Sequence, residues 1–165
     1  MLIDTHCHIA HVEFEIDQEE VIRRAIDSGV GKMIVVGTDL LSSQRAVALS
    51  EKHPFLFATV GLHPHDAETL TPSLLFELET LSHHPKVVGI GETGLDFYYN
   101  HASRERQLQA FLAQITVAIK RRLPLVIHTR EAWDASFQCI ERIEKMDPRY
   151  LKEIGSIFHC FTGNH

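Results

Sequence analysis

The stretch VVGIGETGLD, residues 87–96, poses the question that decides the fold. Gly89, Gly91 and Gly94 make a literal G-x-G-x-x-G, the spacing of a dinucleotide-binding turn. Such a turn needs its glycines between a strand and an immediately following helix. Here the next helical pattern starts near Ser103, well past Gly94, and Gly89 falls inside the apolar run 86–92. Glu92 would also put a negative charge where a pyrophosphate should sit. All three points count against a dinucleotide turn. The glycines instead predict closely packed strands and free space around Glu92.

Outward from this stretch, short apolar runs alternate with longer amphipathic ones. Residues 2–6, 32–37, 55–63, 86–92, 124–129 and 155–161 read as strands. Residues 21–28, 42–53, 72–82, 103–122 and 131–145 read as helical, with Ser42 or Ser43 and Thr71 as caps and Pro72 in a first turn. Within 103–122, Leu108, Phe111, Leu112, Ile115, Ala118 and Ile119 recur three or four apart. Strands apolar on both faces that alternate with helices predict a parallel sheet. An open doubly wound sheet and a (β/α)8 barrel both satisfy that pattern. The length of 165 residues predicts a single domain, 1–165.

Apolar residues make up 44% of the chain, enough for a real core, and no apolar run reaches membrane-spanning length. Cys7, Cys139 and Cys160 form no C-x-x-C pair, and the first residues, MLIDTHCH, are too polar for a secretion signal. Reduced thiols and a cytoplasmic location are the expectation. The formal charge of −6 gives no bulk attraction for a polyanion. If the substrate carries phosphates, bound cations are the natural source of local positive charge.

The chemistry falls at the strand ends. His6 and His8 follow the first strand, and His63 and His65 the third. Glu92 ends the fourth, His128 the fifth and His159 the sixth. In parallel α/β folds the carboxyl ends share one rim, and that rim holds the active site. Residues i and i+2 of a strand project to one face, so His6 and His8 reach one ion while Cys7 points away. Glu92, with two oxygens, can bridge two cations, which a histidine cannot do; it is the candidate shared ligand of a two-metal centre.

Five motifs then recur in order: D-T-H-C-H at residues 4–8, G-L-H-P-H at 61–65, G-E-T-G-L-D-F at 91–97, P-L-V-I-H-T-R at 124–130 and F-H-C-F-T-G at 158–163. Together they resemble the TatD family of metal-dependent deoxyribonucleases, within the amidohydrolase-like barrels. Gln107 and Phe111 also fit that family's long helix. The resemblance runs from Leu2 to Gly163. It implies a TIM-type (β/α) barrel, with His6, His8 and Glu92 on a first divalent ion and Glu92, His128 and His159 on a second. It further implies DNA as substrate, with Glu92 in a catalytic role and His63 facing a phosphate oxygen. Arg130 is read either as a bidentate phosphate holder or as a rim salt bridge. His65 is a further substrate contact, unless Pro64 turns it outwards. Asp96 is expected to support a ligand or cap a loop. Zinc, manganese and magnesium remain open, with nitrogen-rich ligation leaning away from magnesium.

A closed barrel of this kind needs eight strands over about 250 residues, and six are present here. The resemblance implies two further βα units, the last carrying an aspartate that completes the first ion's shell. The expectation is therefore a truncated product or a piece of a longer chain. Its two open edges would favour self-association. Besides a nuclease, two readings stay open: an amide or ester hydrolase of the same barrel class, including one acting on aminoacyl-tRNA esters, and a non-catalytic metal-binding remnant. Lys120–Arg122 reads as cations suited to a helix end. Trp133, Tyr98 and Tyr99 read as base-stacking or packing aromatics. His53, His83, His84 and His101 are expected in solvent.

Overall fold

The order in which the apolar runs pair decides between the two architectures. The computed structural model describes residues 1–99 and 101–162, so Gly163 of the last motif lies outside the described residues. The strands are β1 (Leu2–Cys7), β2 (Val30–Val36), β3 (Leu56–Val60), β4 (Val87–Asp96), β5 (Leu125–Arg130) and β6 (Ser156–Phe158). The helices are α1 (Gln18–Asp27), α2 (Leu40–Lys52), α3 (Pro72–Leu81), α4 (Arg104–Arg121), α5 (Trp133–Met146) and the short α6 (Tyr150–Glu153). The sheet runs β1-β2-β3-β4-β5-β6, and each neighbouring pair is parallel.

A doubly wound sheet reverses its strand order at a switch point. Sequential order with right-handed crossovers instead sends every helix to one face. The helices do share a layer: α2 touches α3 and α3 touches α4, while α2 packs on β2 and β3, α4 on β4, and α5 on β4 and β5. The opposite face is concave. It curls until the end of β1 approaches the end of β6, where the His6 and His159 rings stack with centroids 3.6 Å apart. The architecture is six strands of a TIM-type (β/α) barrel, curled into a half-barrel. No helix among the described residues is long and apolar enough to cross a membrane.

The core lies between sheet and helix layer. Val35, Leu56, Ala58, Val60, Leu125 and Ile127 of the strands are buried against Phe111, Ile115 and Ala118 of the predicted α4 stripe. Ser103 caps α4 and Thr71 caps α3, each accepting from a backbone N–H three residues on. Several boundaries differ from expectation, and β3 ends at Val60 rather than at His63. α2 starts earlier, because Asp39 caps it by accepting from Ser42 N–H while the Ser42 hydroxyl accepts from Asp39 N–H. β6 is shorter than the run 155–161 and ends before His159. β4 continues to Asp96, so Glu92 sits within the strand rather than at its end.

Two buried glutamines interrupt the apolar stripe of α4. Gln114 Oε1 accepts from Leu62 N–H at 2.7 Å, and its Nε2 donates to the Leu62 carbonyl at 3.0 Å and to Thr93 Oγ1 at 2.7 Å. Gln107 treats Asp96 the same way, accepting from its N–H and donating to its carbonyl, both at 2.8 Å. Each amide replaces hydrogen bonds that the strand ends do not make with a neighbouring strand. Gln114→Leu strands the Leu62 backbone groups in an apolar interior. We expect it to destabilise the fold by about 2–4 kcal/mol, since each orphaned buried polar group costs about 1–3 kcal/mol. Urea unfolding checks this; a midpoint within error of the parent would remove the clamp from the account.

Candidate metal centre

The rim at the carboxyl ends of the strands is built around Glu92, which is 4% exposed. Its backbone N–H donates to the Gly37 carbonyl at 2.7 Å, tying it to the end of β2. The neighbouring glycines leave it room. Gly91 and Gly94 have φ of 144° and 137°, and a Cβ at either would run into a backbone carbonyl of β5, that of Val126 or His128. The glycines of the G-x-G-x-x-G pattern thus serve strand packing.

The two oxygens of Glu92 face different histidines. Oε2 stands 3.4 Å from His6 Nε2 and 3.7 Å from His8 Nε2. His6 and His8 come within 3.1 Å of each other through the same nitrogens. Cys7 points the other way, its thiol directed at the Ile34 carbonyl. Oε1 stands 3.2 Å from His128 Nδ1 and 3.8 Å from His63 Nε2. A tetrahedral ion with ligands at about 2.0–2.1 Å has ligand–ligand edges of about 3.3 Å, so the spacings of His6, His8 and Glu92 fit a cation without rearrangement.

A second group of donors lies beside the first. Ring nitrogens of His63, His65 and His128 all fall within 4.8 Å of one another. His63 reaches this position because its N–H donates to the Thr38 carbonyl at 2.7 Å and its Nδ1 caps the 3-10 turn that follows it, leaving Nε2 for the site. Pro64 opens that turn and does not send His65 outwards. Instead His65 Nε2 donates to Asp96 Oδ2 at 2.8 Å. His128 Nε2 donates to the same oxygen at 3.0 Å, while Asp96 Oδ1 accepts from the N–H groups of Tyr98 and Tyr99. Asp96 therefore both caps the loop after β4 and orients two imidazoles. His159 joins the rim through its stack on His6.

Charge in the cluster is arranged for a cation. Burial opposes ionisation of Glu92, yet hydrogen bonds from His128 and His6 and the nearby His63 hold its carboxyl far below the usual range. Burial works against Asp96 as well, but the Tyr99 N–H, His65 and His128 bring it down to about 2. Burial would lower His128, but Glu92 and Asp96 outweigh it and raise its pKa. Burial pushes His63 down to about 3, so that ring is neutral and free to ligate. The cluster opens into a cavity of about 400 Å³ whose lining includes Thr38, Asp66 and Tyr99. A wider depression of about 530 Å³ beside α1 is lined by Glu15, Asp17, Glu19 and Glu20 and holds no imidazole cluster, so size alone does not mark the site.

Other sequence readings resolve differently. The Arg130 guanidinium makes neither a rim salt bridge nor a hydrogen bond with a described residue; it lies over the rings of Tyr98 and Tyr99, 4.3 and 4.7 Å from their centroids. His101, expected in solvent, has its ring 4.5 Å from that of His65. His53 and His84 pair with Glu19 and Glu51. Lys120 pairs with Glu79, and Arg122 with Asp147 and Glu153, so these two cations of the basic run are tied down within the fold. Trp133 packs among Phe137, Phe158 and Phe161.

Residues 3–165 match the family described as TatD related DNase. The chain is 37% identical to an uncharacterized metal-dependent hydrolase, YabD, of Bacillus subtilis, covering 99% of this chain and 62% of that protein. It is also 37% identical to a protein named 3'-5' ssDNA/RNA exonuclease TatD from Pantoea vagans, covering 98% of this chain and 60% of that one. Among solved structures, the TatD homolog YJJV of Escherichia coli superimposes with a TM-score of 0.87 at 33% identity, over 99% of this chain and 61% of that chain. The chain thus spans about three fifths of the length of these relatives.

Proposed function

This chain belongs to the TatD-related DNase family, and from that premise we propose that its rim serves metal-dependent hydrolysis of DNA phosphodiester bonds through a two-metal centre. Residues 1–165 act in this reading as one barrel domain. The observation that carries the proposal is the divided carboxylate of Glu92: Oε2 turned to His6 and His8, Oε1 turned to His128 and His63. A carboxylate with one oxygen in each of two imidazole groups is the geometry of a shared ligand. His6, His8 and Glu92 would hold one ion. Glu92 and His128 would contribute to the other, with His159 just after β6 or the His63 and His65 rings completing it. Donor sets this rich in nitrogen favour zinc or manganese over magnesium.

Divalent ions bound there supply Lewis-acid polarisation of a phosphoryl oxygen and an acidified water. The chain's own groups do the rest. Asp96 fixes the direction of the His65 and His128 rings through its Oδ2. His63 and His65 border the cavity where a phosphate oxygen would enter. Arg130, two residues beyond His128 on the same face of β5, offers a guanidinium to a phosphate. Cations held at this rim would answer how an acidic chain accepts a polyanion.

The test is hydrolysis of end-labelled single-stranded DNA, with a small aryl ester as the control substrate, by protein loaded in turn with zinc, manganese and magnesium. Metal-dependent release of nucleotides that a chelator abolishes is expected. Ester turnover without DNA cleavage would move the chain to the hydrolase reading. A milder variant probes the support: Asp96→Asn keeps an acceptor for the Tyr98 and Tyr99 N–H groups but removes the charge beside His65 and His128. Metal affinity is expected to fall roughly 10–100-fold, the effect of losing a partner that orients ligands. A competition titration against a chromogenic chelator reads this directly, and unchanged affinity would leave Asp96 with the loop alone.

A further inference from the structure

The rim carries a second feature that the metal chemistry does not use. Tyr98 and Tyr99 are large, exposed side chains, 56% and 48% accessible, and Tyr99 lines the cavity. Their rings meet edge to face at 4.8 Å, and the Arg130 guanidinium caps both. The Tyr99 ring also lies against His65, edge to face at 5.5 Å. The pair is not a loose loop, because both backbone N–H groups donate at 3.0 Å to Asp96 Oδ1, the carboxylate whose other oxygen holds His65 and His128.

Two exposed aromatics would ordinarily be buried against something. An arginine would ordinarily find a carboxylate in a chain with a net charge of −6. Among the described residues Arg130 finds none and is held only by the two π-faces. A guanidinium stacked on aromatic rings keeps its edge donors free, and those donors match phosphate oxygens. Exposed rings beside a fixed cation are the pairing used to hold a single strand, in which each unpaired base offers a flat face and each linkage a phosphate. The separation suits one nucleotide: Arg130 stands two residues along β5 from His128, about 6.6 Å at the usual strand rise.

We propose that Tyr98, Tyr99 and Arg130 form a nucleotide subsite one unit away from the metal centre, with a phosphate on the Arg130 guanidinium and an unpaired base stacked on the exposed Tyr98 ring. Tyr99 is the inner wall that joins this subsite to His65. The subsite rests on the nuclease reading and adds to it a base-binding element that a bare phosphodiester cannot use.

The experiment measures binding of a phosphorothioate-linked single-stranded oligonucleotide with 2-aminopurine at its terminal position to the zinc-loaded chain, by fluorescence. A matched oligonucleotide with an abasic terminal position is the control. Stacking quenches 2-aminopurine. Tyr98→Ala is expected to abolish the quenching and weaken binding roughly 5–100-fold, the range seen on removing a stacking ring. Tyr98→Phe should retain both. The abasic oligonucleotide should bind the parent and Tyr98→Ala alike, and Arg130→Gln should weaken both ligands. Equal quenching in Tyr98→Ala, or equal affinity of the parent for the two oligonucleotides, overturns the subsite while leaving the nuclease reading intact. Failure of the parent to bind either oligonucleotide under zinc or manganese defeats the nuclease reading and the subsite together.

Discussion

Glu92→Gln is expected to reduce metal-dependent hydrolysis by about 10³-fold or more and to lower the bound metal content. In the proposed centre a carboxylate shared by two ions would lower the barrier by several kcal/mol, and each 1.4 kcal/mol corresponds to about tenfold in rate. The substitution is nearly isosteric, and the side chain is buried, so the shape of the site is kept. What goes is the negative charge toward which His6, His8, His63 and His128 are turned. An amide offers one acceptor oxygen, and its NH₂ group would face one of the two imidazole groups as a donor. At least one ion should therefore be lost. Elemental analysis of the dialysed protein gives the stoichiometry and single-turnover assays give the rate. Full metal content with full activity would remove Glu92 from the centre.

Gly94→Ala should be the most damaging single methyl in the fold. At φ of 137° an L side chain is strained, which costs about 1–3 kcal/mol, and its Cβ would collide with the backbone carbonyl of His128 on β5. Relieving the collision means prising β4 from β5, an overpacking cost of about 1–3 kcal/mol more. A loss of about 3–5 kcal/mol is a large part of the 5–15 kcal/mol typical of a domain. Chemical denaturation of the variant measures it. Because Gly94 pairs with His128 in the sheet register, metal affinity should fall along with stability. A variant as stable as the parent would mean that the two strands can separate at little cost.

Much of this was legible from pattern. Apolar runs on both faces announced parallel strands, and the stripe through Phe111, Ile115 and Ala118 announced α4. The alternation of His6, Cys7 and His8 forecast which rings would meet, since a period of two follows from strand geometry. Where sequence reading stopped short, a contact between distant segments was responsible. Nothing local marks Gln107 and Gln114 as backbone clamps; the one available signal was two amides on the buried stripe of an amphipathic helix. The extent of β4 past Glu92 depends on pairing with β5 through Asp96 and Arg130, which no window around residue 92 contains. The same holds for Arg130, whose partners lie on the loop after a different strand. The inward turn of His65 depends on Asp96, thirty-one positions away in the chain.

The consecutive strand order has a kinetic corollary. Each strand finds its partner in the βα unit made just before it, so the sheet can be laid down progressively as the chain emerges, with little entropy spent on closing long loops. The ring stack of His6 on His159 is the opposite kind of contact, joining the first strand to the last. Secondary structure should thus mature well ahead of cation affinity during refolding, and a metal-sensitive dye added at early times should report almost nothing while circular dichroism is already near its final value.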